Sequence, residues 1–153
     1  VRVGDDQSWI EARPQYDGGM SVRYELDYGP GPIGCQMFSA EITPDFFREE
    51  IAPARTFLLE QEASALLEQG ISCRATFQDL LVYGPQGPIQ NTLRFADECA
   101  RHKTLDIVGD LALLDFDLSA DIIAHRSGHR QNTELAAALL SRYKSSRKIR
   151  LSA

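Results

Sequence analysis

The chain has 153 residues, of which 43% are hydrophobic and 25% are charged, and its formal net charge at pH 7 is −6. This length suits one globular domain or two very small ones, and the apolar fraction argues against an intrinsically disordered chain. The apolar runs span only a few residues, far short of the ~18 that a membrane-spanning helix needs. A binder of nucleic-acid phosphates usually has the opposite charge balance. Neither a transmembrane segment nor a nucleic-acid partner is therefore expected.

Alternating apolar and polar residues predict a pair of strands in the first third of the chain. Apolar and charged side chains alternate over residues 22–28, which gives a strand one buried face and one solvent-exposed face. Glycines and prolines interrupt the pattern at 29–32, and it resumes over 33–42. The two runs are predicted to form a β-hairpin or an adjacent antiparallel pair.

Two short helices are predicted next, each with a recognisable end. Thr43 followed by Pro44 is typical of an N-cap and a first helical position, so a helix is expected to run to about Ala52. A second helix is predicted over residues 60–69, followed by Gly70 as a left-handed cap.

The later elements alternate between strands and helices. Strand-forming residues dominate 72–83, a loop rich in Gly and Pro covers 84–88, and a long helix is predicted from about 95 to 114. A strand over 121–126 and a final helix over about 130–143 follow. This order, without internal repeats, predicts an α+β fold with a mostly antiparallel sheet packed against helices.

The cysteines favour a cytoplasmic protein. Cys35, Cys73 and Cys99 are odd in number, widely spaced and never arranged as C-x-x-C. This pattern fits small buried side chains in a reducing compartment better than it fits a disulfide framework.

Titratable residues lie along one side of the long helix. His102 and Asp106 are four residues apart, so both side chains can reach one point, and Asp110 lies one turn further along. An imidazole nitrogen and a carboxylate oxygen are suitable ligands for a zinc-like ion. The same spacing fits a simple histidine–aspartate pair on a partly exposed helix face, and two ligands do not complete a metal site.

Two other segments could carry chemistry. His129 follows a glycine between a strand and a helix, where it could act as a general acid or base, or could simply cap the helix or face solvent. Thr56 lies shortly after Pro53, which is expected to end the preceding helix. Its hydroxyl could donate to an oxyanion, although threonine is also an ordinary turn residue. His125 is expected to be structural.

Three motifs occur in an order that resembles one enzyme family. They are Ala54-Arg55-Thr56-Phe57, His102-Lys103-x-Leu105-Asp106-x-x-Gly109-Asp110 and Ser127-Gly128-His129-x-x-Asn132. These motifs resemble UDP-3-O-acyl-N-acetylglucosamine deacetylase, the zinc amidase of lipid A biosynthesis. The similarity runs from Trp9 to about Leu140.

The resemblance implies that residues 1–153 form the second, C-terminal domain of two similar α+β domains. In the family, the histidine and aspartate matched by His102 and Asp106 bind zinc. A first domain supplies a third zinc-binding histidine beside a glutamate that acts as general base. That N-terminal domain is absent from this sequence, and the start at Val1 suggests a chain cut from a longer one. The fragment alone is therefore expected to be inactive.

The implied activity is zinc-dependent hydrolysis of the N-acetyl group of UDP-3-O-acyl-N-acetylglucosamine, the committed step of lipid A biosynthesis. A protonated His129 would stabilise the oxyanion and protonate the leaving amine, Asp110 would hold its ring, and Thr56 would donate to the oxyanion. Lys103 would also take part in catalysis, as a cation near the charged transition state or the diphosphate of the substrate. The implied substrate contacts are Phe57, Lys103, Arg126 and Ser127.

An inserted β-α-β unit is also implied, at roughly 60–91. In the family this unit forms a hydrophobic passage for the acyl chain, and Phe77, Leu80 and Val82 are the wall candidates here. The same three side chains could instead pack a small core.

The chain departs from the family pattern at four positions. Leu58 replaces a glycine and is expected to narrow the approach to the metal. Asp115 and Ala120 replace glycines in the turn after the long helix, which is expected to be rebuilt. Gln61 stands where an acidic residue is usual.

A non-catalytic binding or interaction domain that keeps the fold is the competing hypothesis. A copy without activity would be expected to lose Thr56, His102, Asp106 or His129, and all four are present. Their presence favours the enzyme.

Overall fold

The computed structural model describes residues 1–70 and 76–151, with an α+β fold of two β-sheets and four helices. The strands are Arg2–Gly4 (β1), Trp9–Pro14 (β2), Met20–Asp27 (β3), Cys35–Glu41 (β4), Thr56–Leu59 (β5), Leu80–Gly84 (β6), Gly87–Pro88 (β7) and Ala120–His125 (β8). The helices are Pro44–Phe46 (α1), which continues as a π-helical segment over Phe47–Ile51, Glu60–Glu68 (α2), Glu98–Leu111 (α3) and His129–Leu151 (α4).

The larger sheet has five strands in the order β1-β2-β8-β3-β4. Three of its four strand pairs are antiparallel, and only β3 and β8 run parallel. The predicted antiparallel pair is β3 and β4, in which Val22 lies opposite Ala40 and Tyr24 lies opposite Phe38. The prediction of a mostly antiparallel sheet is therefore confirmed for this sheet.

The core lies between one face of the five-stranded sheet and the helices α3 and α4. Strand residues at every second position are buried, because alternate side chains point to the same face. The central core residues are Ile10, Val22, Tyr24, Ile122 and Ala124 from the sheet, with Cys99, Ala100, Ile107 and Leu111 from α3 and Leu135 from α4. The side chains that line the site described below therefore project from a packed frame.

A smaller sheet, β5-β6-β7, forms a β-α-β unit with α2. β5 and β6 pair in parallel, so the chain must cross over between them, and α2 lies in that connection. The unit begins at Thr56, a few residues before the predicted start at 60, because β5 is its first strand. That the unit is an insertion relative to a simpler domain stays a prediction.

The predicted strand over 72–83 is wrong in its described first part. β6 begins only at Leu80, because Thr76 to Asp79 form a turn. The Asp79 carboxylate accepts hydrogen bonds from both the backbone N–H and the hydroxyl of Thr76 (2.8 Å each), a side-chain turn that competes with strand pairing. Residues 71–75 of the predicted strand lie outside the described residues.

The predicted caps at Thr43 and Gly70 are confirmed, but the predicted end of α4 is wrong. α1 begins as expected, with the Thr43 hydroxyl accepting from the Phe46 N–H (3.2 Å). Gly70 follows α2 with a φ of 71°, the left-handed conformation that glycine adopts without strain. α4 continues to Leu151 rather than ending near residue 143, because no glycine or proline interrupts the sequence. None of the described helices has a stretch long and apolar enough to cross a membrane.

The two described cysteines have different environments. Cys99 is buried in the core, but Cys35 is exposed at the start of β4, where its thiol donates to the Asp27 carboxylate (3.1 Å). The prediction of buried cysteines is therefore wrong for Cys35. Cys73 lies outside the described residues.

A buried ion pair fixes the start of α3. Glu98 is fully buried, and its carboxylate accepts from the Arg55 guanidinium (2.8 and 3.1 Å) and from the backbone N–H groups of Arg55 (3.1 Å) and Arg94 (2.6 Å). The remaining Arg55 donors bind the Asn91 side chain and the Thr92 carbonyl. The Glu98 N–H donates to the Phe95 carbonyl (3.2 Å), so residues 95–98 form a turn, and α3 begins at Glu98 rather than at 95.

Opposing effects act on the pKa of Glu98. Burial alone raises the pKa, but the hydrogen bonds from the Arg55 side chain and from the Arg94 and Arg55 backbone outweigh burial. The pKa of Glu98 therefore lies below its ordinary value of 4.5. A carboxyl group whose pKa is lower in the folded state stabilises the fold above its ordinary pKa and loses that contribution as the pH falls through the lowered value.

Glu98→Gln should lower the free energy of unfolding by about 3–5 kcal/mol at pH 7, because it leaves a buried guanidinium without its counter-charge. The variant should also lose less stability than the wild type as the pH falls below 4.5, since it lacks the titrating group. Urea denaturation at several pH values measures both effects. The control is Glu134→Gln, at an exposed position on α4. Equal stability of Glu98→Gln and wild type at pH 7 would contradict this account.

Candidate active site

The predicted metal-binding pair lies on the face of α3 that meets the start of β5. His102 Nε2 is 3.5 Å from Asp106 Oδ1, and the two side chains are 16% and 12% exposed. His102 Nδ1 is 3.2 Å from the Ala54 carbonyl oxygen. Because a carbonyl can only accept, Nδ1 is the donor in this contact, and in a neutral imidazole this leaves the lone pair of Nε2 available to a ligand-binding role.

This pair fits a shared cation. A tetrahedral zinc ion about 2.1 Å from each ligand requires the two ligand atoms to be about 3.4 Å apart, close to the observed separation. Zinc-binding histidines commonly donate their second N–H to a carbonyl or carboxylate, as His102 does to Ala54. Among the described residues, no group of three or more His, Cys, Asp or Glu side chains is arranged to hold a metal ion. This part of the chain therefore offers two ligands.

His129 approaches the same pair from the start of α4. Its Nδ1 donates to Asp110 Oδ2 (2.8 Å), and its Nε2 lies 3.9 Å from Asp106 Oδ1. Asp106 Oδ1 thus faces two imidazoles, while its Oδ2 accepts from Lys103 Nζ (2.6 Å). The His129 side chain is 67% exposed, so it stays accessible to a substrate.

A hydrogen-bonded chain behind His129 was missed by sequence reasoning. Asn132 Nδ2 donates to Asp110 Oδ2 (2.9 Å), and Asn132 Oδ1 accepts from Ser127 Oγ (3.2 Å). The Ser127 carbonyl in turn accepts from the Tyr24 hydroxyl (2.6 Å). The spacing of Asn132 three residues after His129, which places both on one face of a helix, was the available signal. Ser127 is buried, and its predicted contact with substrate stays a prediction.

The predicted cations line one cavity beside these residues. The cavity has a volume of about 400 Å³, and its wall includes Lys103 and Arg126. Arg126 adopts a left-handed backbone conformation (φ 51°), which is uncommon for a residue other than glycine. Two contacts hold it there: its N–H donates to the Glu25 carbonyl (3.0 Å), and its carbonyl accepts from the Ser8 hydroxyl (2.9 Å).

Phe57 lies next to His102. The buried Phe57 ring makes an edge-on contact with the His102 ring (centroids 6.2 Å apart) and another with Tyr28 (5.6 Å). Thr56 precedes Phe57 and follows the segment that holds His102 through Ala54, and its side chain is exposed. The structure therefore brings Phe57 and His102 into contact, and the role of Thr56 at an oxyanion stays a prediction.

The predicted acyl-chain residues share an apolar groove between α2 and the small sheet. Phe77, Leu80 and Val82 all line this cavity of about 490 Å³, together with Leu58. The expectation that Leu58 narrows the approach to the metal is wrong. Because alternate strand residues point to opposite sides, Phe57 contacts His102 while Leu58 lines the groove.

The remaining positions that depart from the family pattern, and His125, lie outside this region. Ala120 is the buried first residue of β8, so its predicted place in the turn after α3 is wrong; Asp115 does lie in that turn. Gln61 is exposed in the first turn of α2. His125 stacks on Trp9 (centroids 6.5 Å apart), in agreement with a structural role.

Comparison with known proteins places the chain among the deacetylases, a class of amide hydrolases. Curated relatives called UDP-3-O-acyl-N-acetylglucosamine deacetylase occur in Brucella ovis, Brucella canis and Brucella suis. Each is 41% identical over 143 residues, which cover 92% of this chain and 49% of the relative. The chain therefore spans about half the length of the curated relatives it matches.

The family match extends over residues 1–141. The chain belongs to the UDP-3-O-acyl N-acetylglycosamine deacetylase family. The motifs at 54–57, 102–110 and 127–132 all lie within the matched range and meet in the region described above.

Tyr24→Phe should lower the free energy of unfolding by about 1–3 kcal/mol, because the Ser127 carbonyl loses its buried donor. Burial raises the pKa of the Tyr24 hydroxyl, so it remains a neutral donor over the ordinary pH range. Tyr16→Phe, at a side chain that is 94% exposed, is the matched control. Thermal denaturation that finds both variants as stable as the wild type would rule out the anchoring role of Tyr24.

Proposed function

We propose that the whole protein hydrolyses the N-acetyl group of a UDP-3-O-acyl-N-acetylglucosamine, with zinc as its cofactor, as a step of lipid A biosynthesis. The observation that carries this proposal is the convergence of His102 Nε2 and His129 Nε2 on one oxygen of Asp106, at 3.5 and 3.9 Å. The names of the relatives support the reaction class.

His102 Nε2 and Asp106 Oδ1 are the ligands that would hold zinc. When bound there, zinc would supply Lewis acidity that polarises an amide carbonyl and acidifies water. Catalytic zinc sites usually have three protein ligands. We infer that the third ligand and a general base come from a part of the whole protein beyond residues 1–153. On this view residues 1–153 alone would not turn over substrate.

His129 is suited to donate a proton to the leaving amine. Its Nδ1–H is held by Asp110, which leaves Nε2 directed toward Asp106 and the reacting groups. With Nδ1–H bonded to this carboxylate, the proton that an imidazolium could give to the amine is the one on Nε2. Thr56, an exposed residue at the start of β5, would donate its hydroxyl to the oxyanion.

The two cavities match the two ends of such a substrate. The cavity lined by Lys103 and Arg126 would accept the diphosphate, since both cations can pair with phosphate oxygens. The apolar groove with Phe77, Leu80 and Val82 would take the acyl chain. The cytoplasmic location expected from the cysteine pattern remains a prediction.

A non-catalytic binding domain is the second candidate. The observation that favours it is the contact between Lys103 Nζ and Asp106 Oδ2 (2.6 Å), because an ammonium group could take the place of a metal ion beside that carboxylate. A measurement of bound zinc in the whole protein separates the two functions.

The whole protein should bind about one zinc ion, and His102→Ala should abolish that binding, because the site then keeps only two of its three proposed protein ligands. Elemental analysis after dialysis measures the zinc content. His125→Ala, which removes a histidine stacked on Trp9, should keep the metal. Equal zinc content in His102→Ala and wild type would refute the metal site.

His129→Ala should reduce kcat by roughly 10²- to 10⁴-fold, the range expected for the loss of a general acid, and should leave the zinc content unchanged. A deacetylation assay with the whole protein measures the rate, again with His125→Ala as control. An unchanged kcat would show that another group supplies the proton.

A further inference from the structure

Asn132 is a fully buried polar side chain whose two ends are both hydrogen bonded. Its Nδ2 donates to Asp110 Oδ2 (2.9 Å), and its Oδ1 accepts from Ser127 Oγ (3.2 Å). The amide has only this orientation available, because the Asp110 carboxylate can only accept while the Ser127 hydroxyl can donate. Its backbone N–H also donates to the Gly128 carbonyl (3.0 Å), which seats it in the first turn of α4.

Asp110 needs a second partner to orient His129. The terminal torsion of an aspartate is broad, so a single hydrogen bond to an exposed imidazole does not fix its carboxylate plane. Asp110 Oδ2 receives both the Asn132 amide and His129 Nδ1. Because Asn132 is buried and His129 is 67% exposed, Asn132 is the rigid member of this pair of donors.

Asn132 is itself held in place through Ser127 by a buried residue of the five-stranded sheet. Ser127 donates to Asn132, and the Ser127 carbonyl is held by the hydroxyl of the buried Tyr24 on β3. An unbroken series of contacts therefore links β3 to the imidazole through Ser127, Asn132 and Asp110.

We propose that Asn132 is a positioning residue for the reaction proposed above. It acts through Asp110 to hold the His129 ring with Nε2 directed toward Asp106, and it does not touch the substrate. This inference rests on the proposed function, and it identifies what keeps an exposed general acid oriented.

The test uses the whole, zinc-loaded protein with Asn132→Leu, which keeps a similar volume but removes both hydrogen bonds. We expect kcat to fall by roughly 10- to 100-fold, as for other residues that orient a catalytic group, with KM and zinc content nearly unchanged. Gln131→Leu is the matched control. It removes the hydrogen bonds of another buried residue of the same turn, to Ser8 and to the Gly128 N–H, but none to Asp110. An equal loss of kcat in the control would overturn the proposal.

A double-mutant cycle distinguishes positioning from a general loosening of the helix. If Asn132 acts through Asp110, adding Asn132→Leu to Asp110→Ala should change kcat by less than roughly 2-fold. A purely structural role would lower kcat by the same factor in both backgrounds and would refute the proposal. Should Asn132→Leu fail to fold, Asn132→Asp replaces it, because it keeps the shape of the side chain and exchanges the donor for an acceptor. The same fall in kcat is then expected in the wild-type background, and a change of less than roughly 2-fold in the Asp110→Ala background.

The His129 ring gives a readout that does not depend on activity. Nitrogen NMR of the whole protein should show a hydrogen-bonded Nδ1–H in the wild type and in Gln131→Leu, and its weakening in Asn132→Leu. Retention of this signal in Asn132→Leu would overturn the proposal even if the rates changed. A wild type without deacetylase activity would instead refute the proposed function, while the NMR comparison would still test the positioning role.

Discussion

The buried ion pair between Arg55 and Glu98 sets the register on which the rest of the site depends. Glu98, His102, Asp106 and Asp110 recur every four residues along α3, so fixing the first of them against the backbone before β5 places the other three. Desolvation offsets most of the attraction in such a pair, so its net stabilisation is small, but removing either partner is costly. Its structural consequence is that His102 meets the Ala54 carbonyl and the Phe57 ring one turn after Glu98.

A second constraint holds the segment between β8 and α4. The left-handed backbone of Arg126 reverses the chain at the end of the sheet, with contacts from Glu25 and Ser8 on either side. The strain of such a conformation persists only where surrounding contacts over-determine it. Arg126 in this turn lines the cavity, and α4 begins three residues later at His129. The positions of the guanidinium and of the imidazole are therefore determined together.

The alternation of side chains along β5 separates two chemical environments within two residues. Phe57 faces the polar region around His102, and Leu58 faces the apolar groove under α2. A strand has a period of two, so one short strand can face both His102 and the groove without any loop between them. This arrangement places Leu58 in the groove rather than beside His102.

The sequence was enough to predict the α+β class, the β3–β4 pair, the helix caps at Thr43 and Gly70, and the His102/Asp106 spacing, because these depend on local periodicity and backbone preference. It also pointed to the three motifs that meet in the structure. Tertiary contacts are needed to explain where α3 begins, that Cys35 is exposed, and that Asn132 lies behind His129. Each of these depends on a hydrogen bond or a packing contact between residues distant in the chain, such as Glu98 with Arg55 or Asn132 with Asp110. Local sequence patterns carry no information about such partners until the fold brings them together.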